Sequence, residues 1–527
     1  MQHHNGGGSQ QASDALPGVP QPDSGTPTTR RQFLALAGAG TAAVVLARDS
    51  SSWAANRPGL RSFNSTTVSN GVQQFHSRPD LLPPQVVVDK QANGQLAGSI
   101  VTEVHGGASQ SGPLIFDQHG RIIWFNPLSP QPTAEHRAFN VQVAKYDGKP
   151  VLAWFEGAVV AAHGQGTYQI VDTRYRPVAQ VQAQGGYVGD LHELILTPQG
   201  TALFTCYAPA QGKVLVNGVM EAVPYWCGVV QEVDIATGKL LFQWRSDQHV
   251  PLDYSYIGPG VRLGGYWDYF HINAITIDPA DQNLVISSRN TATLYKVNRK
   301  TGRVMWRMGG KHNQFRRGKG THFAFQHDVR LWPGGVMTVF DNEGGPPRFG
   351  PQSRALTLAV DEKRLRVRLI RADLHTPPIY SAALGSVQPL AGGDVFVGWG
   401  TSSYFTQYDP SGRVLFDGYL ATGGSQGASS YRAFLQPWNG IPTAPPDIAV
   451  VRSQGNATVY ASWNGASALS RWIVLGGPSH SEMSQLGTAN VAGFETGIPL
   501  NTSPAAIAVS AVDADGRVLA TSNAVTS

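Results

Sequence analysis

Cysteine is nearly absent from this chain: 527 residues carry two, Cys206 and Cys227. Two thiols with no further Cys or His at ligand spacing exclude a thiolate zinc cage. Charge is also scarce, with Asp, Glu, Lys and Arg making up 14% of residues and a formal net charge of +5. No long basic run occurs, so a nucleic-acid partner is not indicated. Beyond the first fifty residues, no uninterrupted apolar stretch is long enough to cross a bilayer as a helix. Glycine (60) and proline (35) are abundant, together with valine, threonine and aromatics. That mixture points to a turn-rich β protein.

Residues 1–29 are rich in Gly, Ser, Gln, Pro and His, a composition that buries little apolar surface. Arg30 and Arg31 then precede the apolar run Phe33–Ala47, which is too short for a comfortable membrane span. This arrangement resembles a twin-arginine export signal. It places the working protein outside the cytoplasm, in the periplasm, at the cell surface or beyond. In that compartment Cys206 and Cys227 are expected to form a disulfide across the 207–226 connection.

A pattern of strand, Asp or Asn, tight turn, basic residue and strand recurs along the chain. Its turn-opening residues are Asp117, Asp172, Asp234, Asn298, Asp361 and Asp409, separated by 55, 62, 64, 63 and 48 positions. Each unit carries an earlier strand pair, as in LHELILTPQGTALFTCY and HDVRLWPGGVMTVFDN. Four strands in meander order make one propeller blade. The expected fold is therefore all-β: a six-bladed β-propeller followed by a small C-terminal fibronectin- or Ig-like β-sandwich. The expected domains are a leader over 1–55, the propeller over 56–440 and the sandwich over 441–527, which opens on a Pro-rich linker.

Turns at one end of the units are short, whereas 207–226, 246–270 and 309–324 are long connections at the other. Long loops on one face of a rigid scaffold are where sites are built. His192, His271 and His327 each stand at the entrance of a first strand, and first strands line a propeller's channel. Arg289 belongs to the same face, and Asn273 is two residues after His271. Three imidazoles could hold zinc, but a guanidinium beside them repels a metal and grips an anion. A neutral imidazole is also a nucleophile. The cluster fits transfer of an anionic group.

The stretches YFHINAITID, NLVISSRNTATLYKVNRKTGRVMWRMGGK and FAFQHDVRLW, with VMTVFDN, resemble the arylsulfate sulfotransferases. That resemblance implies a six-bladed propeller moving a sulfuryl group from an aryl sulfate donor to a phenolic acceptor, without a nucleotide donor, cofactor or metal. No Gly-rich nucleotide loop is found, in agreement. It implies further that His327 is transiently sulfated. His271, Asn273 and Arg289 would hold the sulfuryl oxygens and assist the leaving phenolate, and His192 would be a further channel histidine. Two departures stand out: Asp328 follows His327 where those enzymes carry a small hydroxyl residue, and the sandwich lies at the C-terminus. Strand alternation turns Asp328 away from His327. Two other readings remain: a quinone-dependent dehydrogenase, for which neither eight blades nor a calcium site is found, and a non-catalytic propeller binding a sulfated or carboxylated ligand or glycan.

Overall fold

A computed structural model describes residues 59–527 except 93, 95, 129–135, 217 and 422–426. The twin arginines and the rest of the leader lie outside the described residues. Within them the protein is all-β, with only three-residue 3-10 turns besides strands. Among the described residues no helix is long and apolar enough to cross a membrane.

Most strands fall into meanders of four. One meander joins His136–Tyr146, Lys149–Val160, His163–Val171 and Pro177–Val181. The next joins Gly189–Leu196, Thr201–Val216, Val219–Asp234 and Leu240–Arg245. It is followed by Ile272–Ile277 to Val304–Gly309, then His327–Trp332 to Arg366–Asp373, then Ser386–Pro389 to Val414–Leu420. A last sheet is assembled from the two ends of this region: Phe434–Gln436 pairs with Ser99–Val104, which continues into Gly112–Phe116 and Ile122–Phe125. Val86–Lys90 likewise adds to Val414–Leu420. Strands distant in sequence thus share a sheet at the seam, which covers edges that would otherwise be open.

The turn-opening residues act through their side chains. Asp117 Oδ1 accepts the backbone N–H groups of His119 and Arg121, and Asp172 and Asp409 repeat the arrangement. Asp234, Asn298 and Asp361 accept from their own turns in similar fashion. Such Asx turns are local chemistry, which is why the pattern repeats legibly in the sequence.

Apolar side chains fill the space between successive sheets. Val101, Ile115 and Trp124 meet Ala138, Leu152 and Trp154. Val285 and Leu294 meet Val329 and Met337, Phe340 meets Val387 and Trp399, and Phe396 and Phe405 meet Leu114 and Phe116. Each fully buried side chain of this size contributes about 1.5–3 kcal/mol. The first strands of the meanders lie beside one another in succession, with Phe434–Gln436 between Ser386–Pro389 and His136–Tyr146. The arrangement is propeller-like, and its centre is lined by the polar entrances of those first strands.

Two further sheets hold the C-terminal residues. One orders Asp447–Ser453, Asn456–Ser462 and Glu495–Leu500, with Phe63–Asn64 from the start of the described chain pairing on Glu495–Leu500. The other orders Ser484–Asn490, Arg471–Gly477, Ala506–Val512 and Val518–Thr521. Val459, Trp472, Val474, Ile498 and Val509 pack between them.

The expected disulfide is not formed. Cys206 and Cys227 are both free and buried. The residues between them are not a loop but the greater part of a hairpin whose strands run Thr201–Val216 and Val219–Asp234. Its register sets Val229 opposite Cys206 and Ala208 opposite Cys227, so the two cysteines are diagonal neighbours. Diagonal positions are ~7–8 Å apart, beyond the roughly 4.4–6.8 Å between Cα atoms that a disulfide spans. Burial pushes the Cys227 thiol up to about 11 and that of Cys206 well above its ordinary range. Thiol titration should find both groups without added reductant once the chain is unfolded, and neither reactive in the native state. Thiols that appear only after reduction would contradict this register.

Candidate active site

Four imidazoles and two carboxylates gather where the first strands enter. His192 stands in Gly189–Leu196 at an irregularity in the pairing, and its Nδ1 and backbone N–H both donate to Asp190 Oδ2, at 2.7 and 3.0 Å. His271 precedes Ile272–Ile277 in the left-handed region, with a φ of 50°. That conformation lets its backbone N–H donate to Asp268 Oδ1 at 3.0 Å while its Nδ1 donates to Asp268 Oδ2. From the meander that holds His163–Val171, His163 Nε2 donates to the same Oδ2 at 3.1 Å. The rings of His192 and His271 are 4.8 Å apart, and those of His163 and His271 are 5.7 Å apart.

These partners fix tautomers, because an acceptor on one ring nitrogen places the proton there. Burial would raise both carboxyls, but the neighbouring imidazoles hold Asp190 near about 2 and Asp268 well below its usual range. Both are carboxylates, so the Nδ1 of His192 and that of His271 each carry the proton that faces them. Burial and Arg289 bring the His271 pKa down to about 3. Resting His271 is therefore neutral at Nε2 and can give a proton to a departing oxygen only after taking one up.

His327 opens the strand His327–Trp332 and is buried. Its Nδ1 faces two oxygens, the Phe325 carbonyl at 3.0 Å and Asn342 Oδ1 at 2.7 Å. The Asn342 amide cannot be turned round, since its Nδ2 donates to the carbonyls of Ser381 and Leu384, each at 2.9 Å. Nδ1 is consequently the protonated nitrogen, and Nε2 keeps the lone pair. Burial, Arg289 and the His271 and His192 rings hold His327 well below the ordinary imidazole range, against the opposing Asn342 contact.

Arg289 follows Leu284–Ser288 and spends only one donor, Nε, on Asn290 Oδ1 at 3.0 Å. Its guanidinium carbon lies 4.9 Å from the centre of the Phe325 ring. Among the described residues no carboxylate pairs with it, so its forked end is available to an anion. Asn290 Nδ2 also donates to the Asp268 carbonyl at 2.5 Å, tying the arginine's support to the histidine pair. Asn273 is buried, and its Nδ2 donates to the Gln326 carbonyl at 2.7 Å while Oδ1 has no partner. The pairing is irregular between Ile272 and Ala274, so alternation does not run unbroken from His271 to Asn273.

Asp328 does not burden the site with free charge. With a φ of 46°, it turns into a buried network instead. Its Oδ1 accepts Arg330 Nε at 2.9 Å and pairs with Arg432 Nε at 3.3 Å, and its Oδ2 accepts the Val387 N–H at 3.0 Å. Glu193 pairs with both arginines, 2.8 Å from Arg432 Nη1 and 3.0 Å from Arg330 Nη1. Two carboxylates and two guanidiniums thus neutralise one another at the centre. Arg432→Met should destabilise the fold by about 3–5 kcal/mol, because it strands buried carboxylates. A urea midpoint shift worth less than about 1 kcal/mol would show the network to be dispensable.

Sequence reading missed Asp190, Asp268, His163 and Asn342, together with the Glu193, Arg330 and Arg432 network. The motifs D-x-H at 190–192 and D-x-x-H at 268–271 were local signals. His163 comes from another sheet and had none. His163, Asp268 and His271 are also close enough to hold one metal ion. Their hydrogen bonds to one another already use the donor atoms, so an ion would have to replace two N–H···O contacts. The second acidic group, Asp278, Asp281 and Glu362, converges on Lys296 Nζ, which takes the position a cation would need.

No curated protein matches the chain. Among solved structures, a protein of unknown function from Bacteroides caccae is 11% identical at a TM-score of 0.38, covering 64% of this chain and 98% of that one. A catalytically inactive virginiamycin B lyase from Staphylococcus aureus is 8% identical at 0.30, covering 71% and 97%. The β-propeller domain of Cps50 (Swd1) from Myceliophteria thermophila is 13% identical at 0.30, covering 62% and 96%. At these scores the likenesses carry no argument about this chain. The family match is of another kind: arylsulfotransferase (ASST) matches residues 142–421, which is 280 of 527 positions and spans His163, His192, His271, Arg289 and His327. The chain belongs to the arylsulfotransferase family.

Proposed function

We propose that this protein is an exported arylsulfate sulfotransferase that carries the sulfuryl group on His327. The observation that supports this most is the tautomer of His327: Nδ1 is committed to two oxygens, leaving Nε2 neutral and nucleophilic. In the first half-reaction, Nε2 attacks sulfur, an N–S bond forms, and the ester S–O bond breaks with its electron pair leaving on the phenolate. Arg289 bears on the sulfuryl oxygens, where negative charge spreads in the transition state. His271, once protonated in the presence of the anionic ester, supplies the proton to the departing oxygen. In the second half-reaction a phenol gives its proton to His271 Nε2, its oxygen takes the sulfuryl group, and the N–S bond breaks so that His327 recovers its lone pair.

This reading treats the ring of sheets as a six-bladed propeller over residues 56–440 and the last residues, 441–527, as a fibronectin- or Ig-like sandwich. It also treats residues 1–55 as a twin-arginine export leader. The test is incubation with a chromogenic aryl sulfate, with and without a phenol, followed by intact-mass analysis. Donor alone should leave one sulfuryl group on the chain, and added phenol should remove it. Anion binding with no phenolate release would favour a binding propeller over an enzyme.

The pH dependence follows from the same site. Because His327 stays neutral well below the ordinary imidazole value of about 6.5, its titration should take nothing from kcat/KM for the donor between about pH 8 and about pH 6. The need to protonate His271 makes kcat/KM rise as pH falls through that range. Activity should then fall as acid protonates Nε2. A loss centred near pH 6.5 would mean that His327 is neither buried nor crowded by positive charge.

A further inference from the structure

The net charge of the chain is concentrated in one place. Residues 316–319 and 361–368 carry seven cations and two acids, a net charge of +5, as large as that of all 527 residues. Neither stretch is a long basic run, and 41 residues lie between them. The fold joins them. Arg316–Arg317 pairs in parallel with the start of Arg366–Asp373, setting Arg316 opposite Arg366. The Arg316 N–H donates to the Leu365 carbonyl at 2.8 Å, and the Gly318 N–H to the Val367 carbonyl at 2.9 Å. Phe315 anchors the short strand, buried against Trp306 with ring centres 5.0 Å apart.

Beside this pairing, at the end of the meander remote from His327, an open groove of about 550 Å³ adjoins the turn Pro333–Gly335. Arg316, Arg317, Arg366 and Arg368 line it. Buried Val367 separates Arg366 from Arg368, so alternation puts those two on one face, ~6.7 Å apart along the strand. Arg316 stands ~4.8 Å across from Arg366. Among the described residues, none of the four guanidiniums makes an ion pair or a hydrogen bond. The one acid in the wall, Asp361, is held by Arg364 at 3.0 Å, and Glu362 is drawn away by Lys296. Burial lowers the Arg317 pKa from the ordinary arginine value. Four like charges this close repel one another, and an anion would relieve that cost.

Charged side chains also guard sheet edges, but that role needs neither a concave wall nor a single sign of charge. No aromatic side chain lines the groove for a nucleic-acid base to stack on, and a flat bilayer does not enter a concavity. The lining cations are all arginine, whose weakly hydrated planar fork suits a weakly hydrated, singly charged sulfate ester better than a carboxylate. Their spacing asks for several such groups on one chain.

We propose that this groove is a docking site for a polysaccharide carrying sulfate esters, gripped by Arg316, Arg366 and Arg368. The site is independent of the sulfuryl-transfer reading. A bound polymer would tether the protein while leaving His327 uncovered, because the two lie at opposite ends of the same meander.

The test is calorimetric binding of dextran sulfate to the full chain. Expected are saturable binding of dextran sulfate, none of neutral dextran, and at least about threefold weaker binding of carboxymethyl dextran at equal charge density. Arg366→Gln combined with Arg368→Gln should weaken dextran sulfate at least about tenfold and flatten its salt dependence. Neither side chain has an internal partner, so the urea midpoint of that variant should stay at the parent value. Arg289→Lys, in the histidine cluster, should bind dextran sulfate as the parent does. Undiminished binding by the double variant would overturn the proposal, as would a loss in Arg289→Lys, which would place the polymer at the histidine cluster. Equal binding of carboxymethyl dextran would also overturn it, as would tighter binding of single-stranded DNA or of phosphatidylglycerol vesicles.

Discussion

His327→Ala is expected to abolish both half-reactions: no phenolate burst from an aryl sulfate, and no sulfuryl group retained on the chain. Loss of a covalent nucleophile acts on the order of 10⁴-fold or more on kcat. The effect should be this large because no neighbour can substitute. His192 and His271 are each tied through Nδ1 to a carboxylate, whereas His327 rests on two neutral oxygens. Asn342→Ala should then give an intermediate loss, since the ring keeps the Phe325 carbonyl but loses the amide that fixes its plane. A mass increase that persists in His327→Ala, or sequential kinetics with no adduct, would sink the assignment and leave His327 as a polar plug.

Arg289→Lys should be nearly as informative, with an expected loss on the order of 2–4 kcal/mol of transition-state stabilisation, the scale of removing one oxyanion donor. Lysine retains charge but presents a point where arginine presents a planar fork. The native side chain also lies over the Phe325 ring and is braced by Asn290, and a lysine ammonium would hold neither contact in the same way. The loss should fall on kcat/KM with the anionic donor. Turnover equal to the parent protein would show that the guanidinium does not grip the sulfuryl oxygens.

The amino-acid sequence by itself determined what depends on neighbours a few residues apart. Strand alternation and the six Asp- or Asn-opened turns are local, since each Asx side chain closes its own hairpin. The entrances of the first strands were legible for the same reason, and with them His192, His271 and His327. What only the tertiary structure decided depends on residues far apart in the chain. Cys206 and Cys227 seemed poised to bridge until the hairpin register set them diagonally. Strand alternation could turn Asp328 away from His327, but its pairing with Arg432, 104 positions away, is decided by the fold. The tautomers depend on Asn342, anchored by carbonyls from a later segment, and on Asp268, shared by histidines of two different sheets. Even the aim of His271 rests on a positive φ that interrupts alternation. Hydrogen bonding and burial at the centre of a ring are set by every sheet that reaches it, and no single stretch of sequence contains them.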